Sequence, residues 1–183
     1  LTHHLLDSLA VIVPLRRELA KLALPETSPV VPLGDAMQAG GPRRFNLLDV
    51  GAGAGLPGVV IAITCPEVSV TCVDTVAKKA AFIQQVAATL RLTHLKGLHA
   101  RVESLTQPYD VVCSRAFASL VDFTTWSVGA LAEQGIWMGM KGKHPAQELA
   151  DLPASVQVFH VEPLSVPGLD AERCIVWMRP GSV

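Results

Sequence analysis

The sequence is short of charge, of clustered cysteine and of long apolar runs, and each shortage removes a class of function. Charged residues make up only 17% of the 183 and nearly cancel, leaving a net charge of −1. There is no global basic surplus of the kind that coats nucleic acid non-specifically, although a local basic face remains open. No apolar run reaches the roughly 20 residues of a membrane helix, and with half the residues hydrophobic the pattern is that of a soluble globular protein. The cysteines Cys65, Cys72, Cys113 and Cys174 stand far apart, with no C-x-x-C pair and no zinc-ligand spacing, so no metal is expected. Each lies in an apolar stretch and reads as a small buried hydrophobe. Leu1-Thr2-His3-His4 lacks the basic start and cleavage site of an export signal, which makes the cytoplasm the expected compartment. Neither an internal repeat nor a low-complexity segment is present.

What is there alternates. A chain of this length fits one domain able to bury about 70% of its unfolded surface. Residues 7–24 carry apolar residues at helical spacing, with Asp7 and Ser8 as candidate N-caps and Pro14 as a kink or a fresh helix start. Residues 25–42 are rich in proline and glycine and read as a loop or disordered insertion between this helical lead segment and a core over residues 43–183. Strands are expected over residues 45–50, 68–74, 95–100, 109–114 and 135–140. Helices are expected from residue 57 to 64, over 77–92 with Phe82, Ile83, Val86 and Leu90 facing inward, and over 121–131. Such alternation predicts an α/β fold, a mostly parallel sheet with helices on both faces. Residues 156–161 and 173–178 are strand-like runs with no crossover helix between them, so they are expected to form a hairpin that adds an antiparallel strand at the C-terminal end.

The sharpest motif is Asp49-Val50-Gly51-Ala52-Gly53-Ala54-Gly55-Leu56-Pro57-Gly58, placed between a strand and a helix. Glycines let a backbone pass close beneath a ligand. Gly53-x-Gly55-x-x-Gly58 formally matches the dinucleotide fingerprint, so a nicotinamide cofactor must be weighed. Two features lean away from it. Asp49 completes a D-x-G-x-G-x-G pattern, and the strand ends on Gly51. The whole resembles motif I of S-adenosylmethionine enzymes, in which a carboxylate suits an ammonium group, directly or through water, where it would repel a pyrophosphate. Asp74 ends the next strand near the roughly 20-residue spacing of a ribose-binding acid, a feature common to both cofactors.

Four blocks then resemble one family closely, the glucose-inhibited division protein B methyltransferases. They are DVGAGAGLPG at 49–58, KKAAFIQQV at 78–86, ARVE at 100–103 and SRAFASL at 114–120. Met140-Lys141-Gly142 and His4-Leu5-Leu6-Asp7-Ser8 add weaker matches. The resemblance implies a class I, Rossmann-like methyltransferase that moves a methyl group from S-adenosylmethionine to N7 of a guanine in 16S ribosomal RNA. It further implies cofactor contacts at Gly51 and Leu56, joined by Asp49, Gly53, Gly55 and Asp74 of the glycine loop and its partner strand. Val102 and Glu103 would meet the adenine, and Arg115 the cofactor carboxylate or an RNA phosphate. Arg115 and Lys141 are the candidate catalytic residues, and His4 and Asp7 candidates for the same mouth. The family pattern also places a helical segment ahead of Leu1 and a shorter stretch where residues 25–42 stand here.

N7 of guanine carries an available lone pair, so no general base is required, in keeping with the lack of a His/Asp dyad or nucleophilic cysteine. The expected partner is structured RNA of the small ribosomal subunit, met by a monomer through a basic face of Arg43, Arg44, Lys78, Lys79, Arg101, Arg115, Lys141 and Lys143. The rivals are a methyltransferase acting on another substrate and an NAD-dependent oxidoreductase.

Overall fold

The computed structural model describes residues 2–24, 44–115, 117, 119–168 and 171–181. Parallel strands β1 (Phe45–Val50), β2 (Val68–Asp74), β3 (Leu95–His99), β4 (Tyr109–Ser114) and β5 (Leu131–Lys141) are completed by an antiparallel hairpin, β6 (Val156–Pro163) and β7 (Cys174–Pro180). β7 inserts between β5 and β6, giving one sheet of order β3-β2-β1-β4-β5-β7-β6. The order reverses between β1 and β4, and open α/β sheets hold ligands in the crevice outside the carboxyl ends of strands at such a point.

Successive side chains on a strand point to opposite faces. Leu47, Val111, Cys113 and Met138 therefore join one core cluster, and Leu48, Val112 and Trp137 the other. Helices α2 (Ile12–Ala23), α3 (Gly58–Thr64) and α4 (Ala77–Thr89) cover the first face, and α5 (Leu120–Ser127) covers the second. Fully buried Phe123, Trp137 and Trp177 each contribute roughly 1.5–3 kcal/mol by leaving water. α5 starts at a side-chain cap: Ser119 Oγ accepts from the Asp122 amide at 3.0 Å.

The N-terminal segment is two helices, α1 (Thr2–Ala10) and α2, meeting at Val11. Pro14 lies in the first turn of α2, where its missing N–H has no intrahelical acceptor to lose, so the fresh-start expectation holds. The capping expectation does not. Asp7 and Ser8 sit inside α1, where Ser8 Oγ donates back to the His4 carbonyl (2.8 Å) and Asp7 accepts from Arg173, a partner brought by the β6–β7 connection.

Helix α4 corrects another expectation. Phe82 and Leu90 are 49% and 50% exposed, and the buried stripe is Ala80, Ile83 and Ala87. The cause is the helical period: Ala80, Ile83 and Ala87 share the face that meets β3, where a Cβ on Gly97 would collide with the Ala80 carbonyl, and Phe82 stands about 100° round the helix from Ile83. The helix expected over 121–131 ends at Ser127, a 3₁₀ turn Val128–Ala130 follows, and β5 begins at Leu131. A short helix α6 (Ala146–Ala150) stands between β5 and β6. The expected loop over residues 25–42 lies outside the described residues.

Candidate functional site

The glycine loop leaves β1 at its carboxyl end and folds under its own hydrogen bonds. The Gly51 and Ala52 amides both donate to the Val73 carbonyl (2.9 and 3.3 Å), clamping the loop to the end of β2. Gly51 and Gly53 take positive φ of 66° and 59°, which side chains rarely tolerate, and a Cβ on Gly51 would meet nothing within 4 Å. That position is constrained by conformation and by what approaches from outside, not by packing. Gly55 and Leu56 differ. A Cβ on Gly55 would press on Val59 and Ile83, and Leu56 packs against the core, so both serve the seat of α3 and neither lines the cleft described next.

Asp49 lies beneath the loop at 0% exposure. The Gly58 amide donates to its Oδ2 (2.8 Å), and its Oδ1 has no hydrogen-bond partner among the described residues. Burial pushes its pKa up to about 7, against the opposing pull of the Gly58 amide and the Arg115 charge. The neighbouring thiols of Cys72 and Cys113 are pushed up by burial and by that carboxylate. At 0% exposure Asp49 cannot grip an ammonium directly while the loop keeps this shape, which leaves the route through water or through the loop amides. A second orphaned oxygen, Ser114 Oγ, ends β4. The two oxygens lie at the carboxyl ends of the two strands flanking the switch point, with the Cys113 thiol beside the Asp49 carboxylate.

Above β1, β2 and β3 opens a cleft of about 410 Å³ whose lining includes Gly51, Asp74, Lys79, Val102, Glu103 and Phe117. Asp74 closes β2 with Oδ2 accepting from the Gly53 amide (3.0 Å) and Oδ1 from the Val76 amide (2.9 Å), while Lys79 Nζ stands 3.7 Å away. Each oxygen keeps acceptor capacity for a hydroxyl. Val102 is buried at the start of a 3₁₀ turn, with Glu103 exposed beside it. The opposite wall is aromatic: Phe117 and Trp126 meet edge-to-face, ring centroids 5.4 Å apart. The sequence reading did not single out that wall. Phe117 lay within the SRAFASL block, whereas Trp126, one turn along α5, carried no signal of its own.

A second cavity of about 330 Å³ lies at the ends of β4, β5 and β7, lined by residues that include His4, Asp7, Arg115, Lys141 and Arg173. Arg115 roofs it by donating to the His4 carbonyl (3.3 Å). Lys141 is 16% exposed and ion-paired to Glu148 Oε2 at 2.8 Å. Glu148 also accepts from the Leu120 amide, so this lysine is committed within the fold and is not a free phosphate ligand. The site residues therefore fall into two chambers on the carboxyl edge of the parallel strands. Gly51, Asp74, Val102 and Glu103 belong to the first, Arg115 and Lys141 to the second, with Asp49 and Gly53 beneath. No cluster of His, Cys, Asp and Glu able to hold a metal occurs among the described residues.

Known proteins resemble the chain in sequence and in fold. The family model described as rRNA small subunit methyltransferase G (GidB) matches residues 35–176. The chain is 63% identical over 182 residues to ribosomal RNA small subunit methyltransferase G of Polaromonas naphthalenivorans (strain CJ2), covering 100% of this chain and 75% of the relative. It is 65% identical over 185 residues to the protein of the same description from Albidiferax ferrireducens, covering 100% and 77%. Among solved structures, TrmN from Thermus thermophilus superposes with a TM-score of 0.61 at 17% identity, over 75% of this chain and 44% of that one. A SAM dependent methyltransferase from Aquifex aeolicus gives 0.56 at 15% identity, over 73% and 81%. At those identities the likeness is one of fold, the class I methyltransferase architecture.

Proposed function

The chain belongs to the rRNA small subunit methyltransferase G family, and from that premise we propose that it places a methyl group on N7 of a guanine in the RNA of the small ribosomal subunit. The methyl donor is S-adenosylmethionine, which supplies an electrophilic methyl group on a cationic sulfur. The observation that carries this reading is a pair of cavities at strand ends on either side of the β1/β4 switch point, one lined by Gly51, Asp74 and Val102 and the other by Arg115.

The residues suit that donor. Asp74, with acceptor capacity left on both oxygens, takes the ribose hydroxyls, and Val102 with the Phe117/Trp126 wall takes the flat adenine. The exposed carboxylate of Glu103 accepts from its amino edge. Gly51 presents bare backbone to the amino-acid end, Asp49 supplies the negative field beneath, and Arg115 takes the carboxylate. Because N7 offers its lone pair without losing a proton, no residue needs to act as a base. Holding the two reactants in line can lower a barrier by about 7–11 kcal/mol in favourable cases. Lys141, tied to Glu148, shapes the second chamber. N7 lies on an edge that an A-form groove hides, so the target guanine stands in a loop or opened segment. A single copy of the chain acts in the cytoplasm on this reading.

The test is transfer of labelled methyl to small subunits from cells lacking the modification, followed by nucleoside mass spectrometry. A single N7-methylguanosine is expected. Label on another atom, on protein only, or nowhere contradicts the reading. The nicotinamide alternative fails if S-adenosylhomocysteine gives binding heat and NAD gives none.

A further inference from the structure

The second chamber holds a carboxylate that the methyl-transfer scheme above leaves unused. Asp7 sits on α1 at 6% exposure, its Oδ1 accepting from Arg173 Nε at 3.1 Å. Arg173 also donates from Nη1 to the Glu172 carbonyl (2.8 Å), and its Nη2 makes no hydrogen bond among the described residues. Asp7 Oδ2 likewise has no partner among them. A guanidinium and a carboxylate joined through the single Nε–Oδ1 contact thus keep one donor, Nη2, and one acceptor, Oδ2, unpaired among the described residues. Met140, Leu164 and Cys174 supply apolar lining to the same cavity. Its volume of about 330 Å³ lies at the lower end of the ~300–1,000 Å³ of small-ligand sites. Lys141 is occupied by Glu148, whereas the Asp7–Arg173 pair keeps hydrogen-bonding capacity in a cavity it shares with His4 and Arg115.

We propose that this pair reads the Watson–Crick edge of the target guanine, Asp7 accepting from N1–H and the exocyclic amine while Arg173 donates to O6. N7 takes no part in those contacts, so a base held this way keeps its N7 lone pair uncovered beside O6. Arg115, which follows β4, lines the same cavity. Adenine fails twice. It would set an amino group against the guanidinium and a bare ring nitrogen against the carboxylate, leaving buried groups unpaired. Bidentate pairs of this kind discriminate between bases by about 10- to 100-fold. The proposal rests on the guanine-N7 reading above and adds the residues that select the base.

The test crosses one substitution in the chain with one in the RNA. Methylation of small-subunit RNA carrying guanosine or inosine at the modified position is measured for the chain and for Asp7→Asn, with S-adenosylhomocysteine affinity measured alongside. Inosine lacks only the exocyclic amine. For the unaltered chain inosine is expected to cost about tenfold or more in kcat/KM, because Asp7 loses a donor. For Asp7→Asn the guanosine rate is expected to fall about 10- to 100-fold, the inosine penalty to shrink towards one, and homocysteine-product affinity to stay within about twofold. Equal inosine penalties in both proteins would overturn the proposal and leave the function standing. An Asp7→Asn chain that loses S-adenosylhomocysteine affinity as well would assign Asp7 to holding α1, and so also overturn it. Failure of the unaltered chain to methylate guanine N7 would instead remove the reading beneath it. Arg173→Lys, which keeps the charge but not the fork, is expected to reproduce the loss on guanosine.

Discussion

Asp49 keeps a carboxylate where ionisation is unfavourable, and the consequence can be measured. Its pKa in the folded chain, about 7, stands above the unfolded value near 4. A raised value means that its contribution to stability is complete below about pH 4 and is lost as pH rises through about 7. Asp49→Asn is therefore expected to flatten that part of the ligand-free pH–stability curve, followed by thermal melting. A cationic donor favours the ionised form, so S-adenosylmethionine affinity is expected to rise with pH towards 8 and binding near pH 6.5 to release protons. Calorimetry in two buffers of different ionisation enthalpy reads that release, and none would place the ligand's charge elsewhere. Gly58 is the second sensitive residue. A Cβ there would strike Cys72 Sγ and stand 2.9 Å from Asp49 Oδ2. Gly58→Ala is expected to destabilise the chain by about 1–3 kcal/mol in denaturant melts.

At the scale of elements, α4 offers the cleanest contrast. Ile83 is fully buried, and Ile83→Ala should cost about 2–5 kcal/mol. Phe82→Ser, one residue earlier but half exposed, should stay within about 0.5 kcal/mol in the same melts. Hydropathy alone had turned both inward, since a bulky apolar residue at helical spacing looks like core. Which face of α4 meets the sheet is settled at its close contact with Gly97 of β3, a tertiary feature invisible to local pattern. The same division runs through the site. The strand ends, the glycine loop and Asp74 were legible because each obeys a short-range rule: period two, positive φ, and an acid at the end of the second strand. Asp7 as an ion-pair partner, Lys141 as a neutralised lysine and Trp126 as a cleft wall were not. Arg173 reaches Asp7 only through the folded sheet, while Glu148 and Phe117 lie near Lys141 and Trp126 in sequence but across turns that no periodic pattern describes.

Over the whole molecule the near-zero net charge conceals an uneven distribution. Lys79 and Arg101 line the cleft above β1, β2 and β3 and Lys78 neighbours them, while Lys143 follows the end of β5 on the same carboxyl edge. Arg44 precedes β1 and so lies at the opposite edge, which removes it from the face expected around the cleft, and Arg43 lies outside the described residues. RNA affinity is therefore expected to fall steeply with salt, with Arg101→Ala lowering the slope of log K against log salt by roughly one and Arg44→Ala leaving it unchanged. No helix among the described residues is long and apolar enough to cross a membrane. The central claim concerns where the donor lies, and a crystal structure of the chain with S-adenosylhomocysteine tests it most directly. Adenine between Val102 and the Phe117/Trp126 wall, the ribose on Asp74 and the sulfur over the end of β1 are expected. Density in the Arg173 cavity instead, or none in either chamber at saturating ligand, would contradict it.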